Sequence, residues 1–303
     1  METVLATKDL TKVFSHNIAV NHVNLNVQRG DIYGFIGKNG AGKTTLMRMA
    51  AGLAAPTSGE IRLFESADLA QQRKRIGTVI ENPAIYPNMS AVQNMEVQRR
   101  LLGIRDKSSV QQTLQTVGLA DAGKKKAKNF SLGMKQRLGI GLALLGNPDF
   151  LILDEPNNGL DPEGIKEIRD LILKLNAQKG ITILISSHIL GELSKVATRY
   201  GIINNGVIVD EFTAPELEER CKSNLIIRVD DVQKACNVLE TVLQTKNYQV
   251  QPDNSIALFD FLEESGKVNA ELSKNGVMVE SISLTGRDLE AYFLALIGGG
   301  ANG

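Results

Sequence analysis

GFIGKNGAGKTTL, residues 34–46, decides how this chain folds. Gly37, Gly42, Lys43 and Thr44 satisfy the spacing of a glycine, four residues, a glycine, a lysine and a hydroxyl residue. Gly37, Gly40 and Gly42 permit backbone conformations that a side chain forbids, so successive N–H groups can turn inward around a phosphate. The whole run Gly37, Lys38, Asn39, Gly40, Ala41, Gly42, Lys43, Thr44 and Thr45 is therefore the candidate phosphate cradle. A helix starting near Thr44 points its positive N-terminal end at the same anion. Lys43 reaches the outer phosphates of a triphosphate, and the Thr44 hydroxyl is a candidate Mg²⁺ ligand. The apolar run Ile32 to Ile36 before the loop and the helix formers after it supply the strand, loop and helix that this motif requires.

The rest of the composition narrows the field. With 303 residues and 43% hydrophobic content, the chain can bury a large core and a smaller second one. Basic and acidic residues both number 34, so net charge gives no reason to expect nucleic acid as a partner. Cys221 and Cys236 are the only cysteines and lie outside any metal-ligand spacing, as suits a reducing compartment. The N-terminal METVLATKDLTKVF is charged where a signal peptide is apolar, and no run approaches a membrane span in length. A soluble protein is expected.

Residues 4–30 predict two strands joined at Ser15 to Asn17. Phe14 ends the first; its ring suits a core or a stack on a nucleotide base equally. PTSGEIRLF predicts a turn and strand, and IGTVI a short strand reaching Glu81. From about residue 88 to 146 the spacing turns helical, which predicts a helical subdomain inserted in an α/β core. Within it, Lys124-Lys125-Lys126-Ala127-Lys128 is a basic run. A solvated face is the plain reading, and closeness to an anionic membrane surface the alternative. Strands at Asp149 to Leu153 and in ITILIS, with helices after Pro162 and after His188, predict a mainly parallel, covered sheet. YGIINNGVIVDEF predicts a hairpin turning at Asn205-Gly206. Beyond residue 213 a connecting helix and alternating strand-like and helix-like segments predict a small α+β module to residue 297, with a disordered tail at 298–303. Its last helix is expected in DLEAYFLALI.

LILDEP supplies what a triphosphatase needs besides a P-loop: an apolar strand ending in Asp154 and Glu155. Asp154 is placed to hold Mg²⁺, commonly through water, and Glu155 to polarise the attacking water.

With both motifs in hand, the chain resembles the ATP-binding subunit of an ABC transporter. FSLGMKQR (Phe130 to Arg137) is similar to that family's signature, and it stands shortly before LILDEP as the family requires. The resemblance implies an α/β fold: a P-loop NTPase core with a mainly parallel sheet, an antiparallel β subdomain and the inserted helical subdomain, over residues 1–213. It implies ATP and Mg²⁺ as cofactors, and a homodimer in which Ser131 and Gly133 contact the γ-phosphate held by the opposite copy. Gly159-Leu160-Asp161 resembles the loop that crosses the dimer interface, so Asp161 is a candidate contact. His188 resembles the switch histidine; of His16, His22 and His188 it alone follows an apolar strand with a helix behind it. Phe14 resembles the aromatic that stacks on adenine, usually a Tyr.

Two departures stand out. Glu81 replaces the usual metal-ligating, permease-coupling glutamine; it remains an oxygen ligand but adds negative charge. Leu132 and Met134 replace a glycine and a glutamine of the signature, while Ser131 and Gly133 remain, so activity is expected to persist. IGTVIENPAIYPNMSAVQN, the signature and the terminal LEAYFLALIGG look most like the bacitracin and lantibiotic resistance branch. That likeness implies a separately encoded membrane permease, a peripheral place on the inner face of the cell membrane, and export of antimicrobial peptides. The alternatives are a soluble ABC ATPase or a nucleotide-sensing regulator that acts without a permease.

Overall fold

The computed structural model describes residues 2–285. β1 (Thr3–Phe14) and β2 (Asn17–Gln28) form an antiparallel hairpin. Val20, Val23, Leu25 and Val27 are buried while their neighbours are more exposed, the alternation expected of a sheet with one covered face. β3 (Ile32–Ile36) is buried throughout and runs into the P-loop and α1 (Lys43–Ala51). β4 (Ser58–Leu63) returns to β1, giving a three-stranded sheet ordered β2-β1-β4.

α2 (Leu69–Gln72) and a 3₁₀ turn lead to β5 (Ile76–Val79). The helical region holds α3 (Ala91–Leu101), α4 (Ser108–Thr116) and α5 (Leu132–Leu144). Ser90 starts α3 with a reciprocal cap: its Oγ accepts from Gln93 N–H at 3.3 Å, and its N–H donates to Gln93 Oε1 at 2.9 Å. The chain then alternates β6 (Phe150–Leu153), α6 (Pro162–Lys179), β7 (Thr182–Ser187), the short α7 (Leu190–Leu193), β8 (Arg199–Asn204) and β9 (Val207–Thr213) before α8 (Ala214–Arg220).

The second sheet is ordered β5-β6-β7-β3-β8-β9, parallel except for β9. β3, β6 and β7 are buried on both faces, which is why their sequences read as largely apolar runs, with Thr182, Ser186 and Ser187 of β7 the buried polar exceptions. Because β3, β7 and β6 are neighbours, their carboxyl ends lie side by side, where ligands of open parallel sheets bind. Asn205 (φ 47°) and Gly206 (φ 80°) make the two-residue turn that joins β8 to β9.

The chain divides into two compact units, Met1–Ala214 and Pro215–Gly303. Described by itself, the second contains β10 (Asn224–Val229), α9 (Val232–Thr241), β11 (Tyr248–Val250), β12 (Ile256–Leu258), α10 (Ser265–Lys274) and β13 (Val279–Thr285). Its antiparallel sheet is ordered β11-β12-β10-β13, over a core that includes Leu225, Ile227, Leu239, Ile256 and Leu272. Two details differ from the sequence pattern. β11 has no signal in the sequence because Tyr-Gln-Val is only three residues long, and IALFDF is a strand only to Leu258, with Phe261 beyond it in the left-handed region at φ 58°. The helix expected in DLEAYFLALI and the tail at 298–303 lie outside the described residues.

Candidate functional site

The P-loop takes its shape from the strands around it. A Cβ on Gly37 would come within 2.5 Å of the Ile203 carbonyl oxygen on β8, and one on Gly42 (φ 111°) within 2.4 Å of the Ala19 oxygen on β2. Gly206, in the β8–β9 turn, donates its N–H to Ala41 O at 2.9 Å. Backbone from two sheets therefore holds the loop from behind, and any side chain at 37 or 42 would push it out of place.

Lys43 is only 5% exposed. Its Nζ donates to Gly37 O at 2.5 Å and Lys38 O at 3.2 Å, and lies 3.2 Å from Glu155 Oε1. Thr44 Oγ1 donates to Asp154 Oδ2 at 2.7 Å. The other oxygen of Asp154, Oδ1, accepts from Ser186 Oγ at 2.6 Å. Burial of a carboxylate is costly without such donors, and Asp154, 2% exposed, has one on each oxygen. Ser186 Oγ in turn accepts the Glu155 N–H at 2.8 Å. That bond steadies Glu155, whose φ of 48° is left-handed and strained for a side chain with a Cβ. His188 Nδ1 meets Glu155 Oε2 at 2.7 Å. The ends of β3, β6 and β7 thus converge on one cluster containing Lys43, Thr44, Asp154, Glu155 and His188. Ser186 was missed in the sequence; the serine pair that ends the apolar run ITILISS was its signal.

Other predicted residues stand apart. Phe14 is 51% exposed, with Lys12 Nζ 4.9 Å from its ring centroid. The ring is thus outside the packed core. Glu81 (φ 62°) pairs with Arg48 Nη2 of α1 at 2.8 Å. Ser131 caps α5 by accepting from Met134 N–H at 3.2 Å, and Asp161 caps α6 by accepting from Gly164 N–H at 3.0 Å. Ser131, Gly133, Gly159 and Asp161 line a common concavity of about 470 Å³, to which no P-loop residue contributes.

A further cleft of about 340 Å³ lies between β5 and α5, lined by Ile80, Pro83, Ala84, Gln98 and Leu142 among others. It adjoins a groove lined by Ile85, Tyr86, Val97 and Leu101. Leu101 is 74% exposed, so the rim presents apolar surface to solvent.

A strand, P-loop and helix with a paired carboxylate at the end of a nearby parallel strand define a P-loop nucleoside triphosphatase. The family model described as "ABC transporter" matches residues 20–158. The bacitracin transport ATP-binding protein BcrA of Bacillus licheniformis is 43% identical over 306 residues, covering 100% of both chains. The lantibiotic transport ATP-binding protein SrtF of Streptococcus pyogenes is 42% identical over 227 residues, 74% of this chain and 98% of that protein. In the solved dimeric structure of MJ0796, a bacterial ABC transporter cassette, the matched chain is 25% identical with a TM-score of 0.63, covering 69% of this chain and 98% of that one. CbiO1 from Clostridium perfringens shares the fold at a TM-score of 0.66 and 24% identity, covering 80% of this chain and 97% of that one. This chain belongs to the ATP-binding proteins of the ABC transporter family. It is an ATPase, and ATP is its nucleotide.

Proposed function

We propose that this ATPase powers export of antimicrobial peptides through a separately encoded membrane permease, on the cytoplasmic face of the cell membrane. The observation that carries the hydrolytic part is the bonded cluster at the strand ends, in which Lys43 and His188 both contact the carboxylate of Glu155. In our reading the P-loop N–H groups and Lys43 hold the β- and γ-phosphates, while Phe14 stacks on the base. Glu155 takes a proton from water as its oxygen bonds to the γ-phosphorus, and the bond from that phosphorus to the bridging oxygen breaks, releasing ADP and phosphate. His188 orients Glu155 and meets the γ-phosphate.

Thr44 and Asp154 present a hydroxyl and a carboxylate, hard oxygen donors too few to enclose an ion but suited to Mg²⁺ that also takes phosphate oxygens. When bound, that ion offsets the charge of the triphosphate. Glu81, bonded to Arg48, is the weaker candidate ligand.

The separation of two half-sites supports a dimer. Ser131, Gly133 and Asp161 line a concavity to which no P-loop residue contributes, which supports the reading that a second copy brings them to the γ-phosphate. The apolar cleft and groove beside Glu81 suit a short helix of the permease. Relatives named for bacitracin and lantibiotic transport support the cargo class. The test is co-expression with a candidate permease in a peptide-sensitive host. Copurification and peptide tolerance that vanishes with Glu155→Gln are expected; a host equally tolerant with the variant overturns the proposal.

A further inference from the structure

The basic run Lys124, Lys125, Lys126 and Lys128 has no part in nucleotide chemistry. It is nonetheless held in a fixed place. Lys126 bridges to Ser90 in antiparallel fashion. Ala127 N–H donates to Met89 O at 2.8 Å, and Lys128 N–H donates to Pro87 O at 2.8 Å. Ala127 itself is fully buried and pins the segment, while all four lysines are exposed. The strand of chain that anchors them, Pro87 to Ser90, directly follows Ile85 and Tyr86 of the apolar groove. The lysine segment is therefore bonded to the stretch of chain that leads out of the groove.

Lys125 Nζ sits 5.9 Å from the Phe130 ring centroid, and among the described residues no ion pair involves any of the four. A solvated run is usually interspersed with acids, whereas this one packs four like charges into five residues on a braced backbone. The residue type also discriminates. Recognition of a single carboxylate favours the planar fork of Arg, while flexible Lys ammonium groups suit a diffuse anionic surface.

We propose that Lys124, Lys125, Lys126 and Lys128 rest on the anionic lipid headgroups of the bilayer surface beside the permease. This rests on the reading of the groove as the permease's seat, since that seat brings its rim toward the membrane. The contact adds an electrostatic tether that weakens with salt and is independent of nucleotide.

Flotation of the full-length protein with phosphatidylcholine vesicles, with and without about one third phosphatidylglycerol, tests it. Binding is expected only to the anionic vesicles, and to fall as salt is raised. The variant with all four lysines changed to Gln should bind roughly tenfold or more weakly, with basal ATPase unchanged. A control variant changing Lys166, Lys174, Lys179 and Lys195 to Gln should keep wild-type binding. Equal binding to neutral vesicles, or equal loss in the control, overturns the proposal. Loss of permease copurification in the four-lysine variant with no vesicle binding by the wild type also overturns it, and assigns the strip to an acidic segment of the permease. Vesicle binding without any permease association would instead sink the groove reading and leave the lipid contact standing.

Discussion

Lys43 Nζ lies 3.2 Å from Glu155 Oε1, so the cation assigned to the phosphates and the carboxylate assigned to water already face each other. His188 closes on the opposite oxygen of the same carboxylate. Glu155 is thus oriented by a positive group on one side and an imidazole on the other.

Glu155→Gln keeps the size and the hydrogen-bonding oxygen but removes the base. Turnover should fall by about 10²-fold or more, with ATP binding retained and dimers accumulating in ATP. Steady-state hydrolysis alongside sedimentation velocity checks this; turnover within a factor of two of wild type would remove Glu155 from the mechanism.

Gly37→Ala and Gly40→Ala separate two causes of damage in one loop. A Cβ at 37 would strike the Ile203 backbone oxygen at 2.5 Å, whereas at 40 nothing lies within 4 Å and only the positive φ of 82° objects. Gly40→Ala should cost roughly 1–2 kcal/mol of stability, in line with left-handed strain. Gly37→Ala should cost more and abolish ATP binding, because backbone rather than a mobile side chain must move. Urea unfolding with nucleotide titration distinguishes them, and equal effects would refute the steric account.

Glu81→Gln tests the exposed pair with Arg48. Both side chains are about half exposed, so losing the pair should change stability by less than about 1 kcal/mol. If Glu81 reaches the metal in the ATP-bound state, the Mg²⁺ concentration for half-maximal ATP binding should rise. An unchanged Mg²⁺ titration would show that the extra charge of the Glu81 carboxylate adds nothing to binding of the ion.

Asp260 makes part of the second unit's stability sensitive to acid. Hydrogen bonds from Thr245, the larger cause, and Asn247 hold its carboxyl below the usual carboxylate range. The folded state thus favours the ionised form. Its contribution is present above the unfolded value of about 3.9 and is lost as pH falls through the lower folded value. Asp260→Asn should lower stability at neutral pH and flatten the decline on acidification. Urea midpoints at neutral pH and near pH 3 compare the two; parallel curves would exclude the linkage.

Much of the site was legible because its signals are local. The glycine spacing of the P-loop, the apolar run before Asp154 and Glu155, and the Asn205-Gly206 turn each state a backbone requirement within a few residues. What remained hidden depends on strand order. That Ser186 joins Asp154 to Glu155 follows only once β7 lies beside β6, and that Gly206 braces Ala41 only once β8 lies beside β3. Arg48 and Glu81 meet across 33 residues of sequence, and neither has a local pattern that names the other.

By itself, then, the sequence determined the chemistry available: which residues can grip a phosphate, hold an ion or accept a proton, since those properties belong to side chains and to short stretches of backbone. Tertiary structure alone decided which of them are neighbours. The order of buried parallel strands sets which carboxyl ends share an edge, and that order comes from packing among segments far apart in the chain.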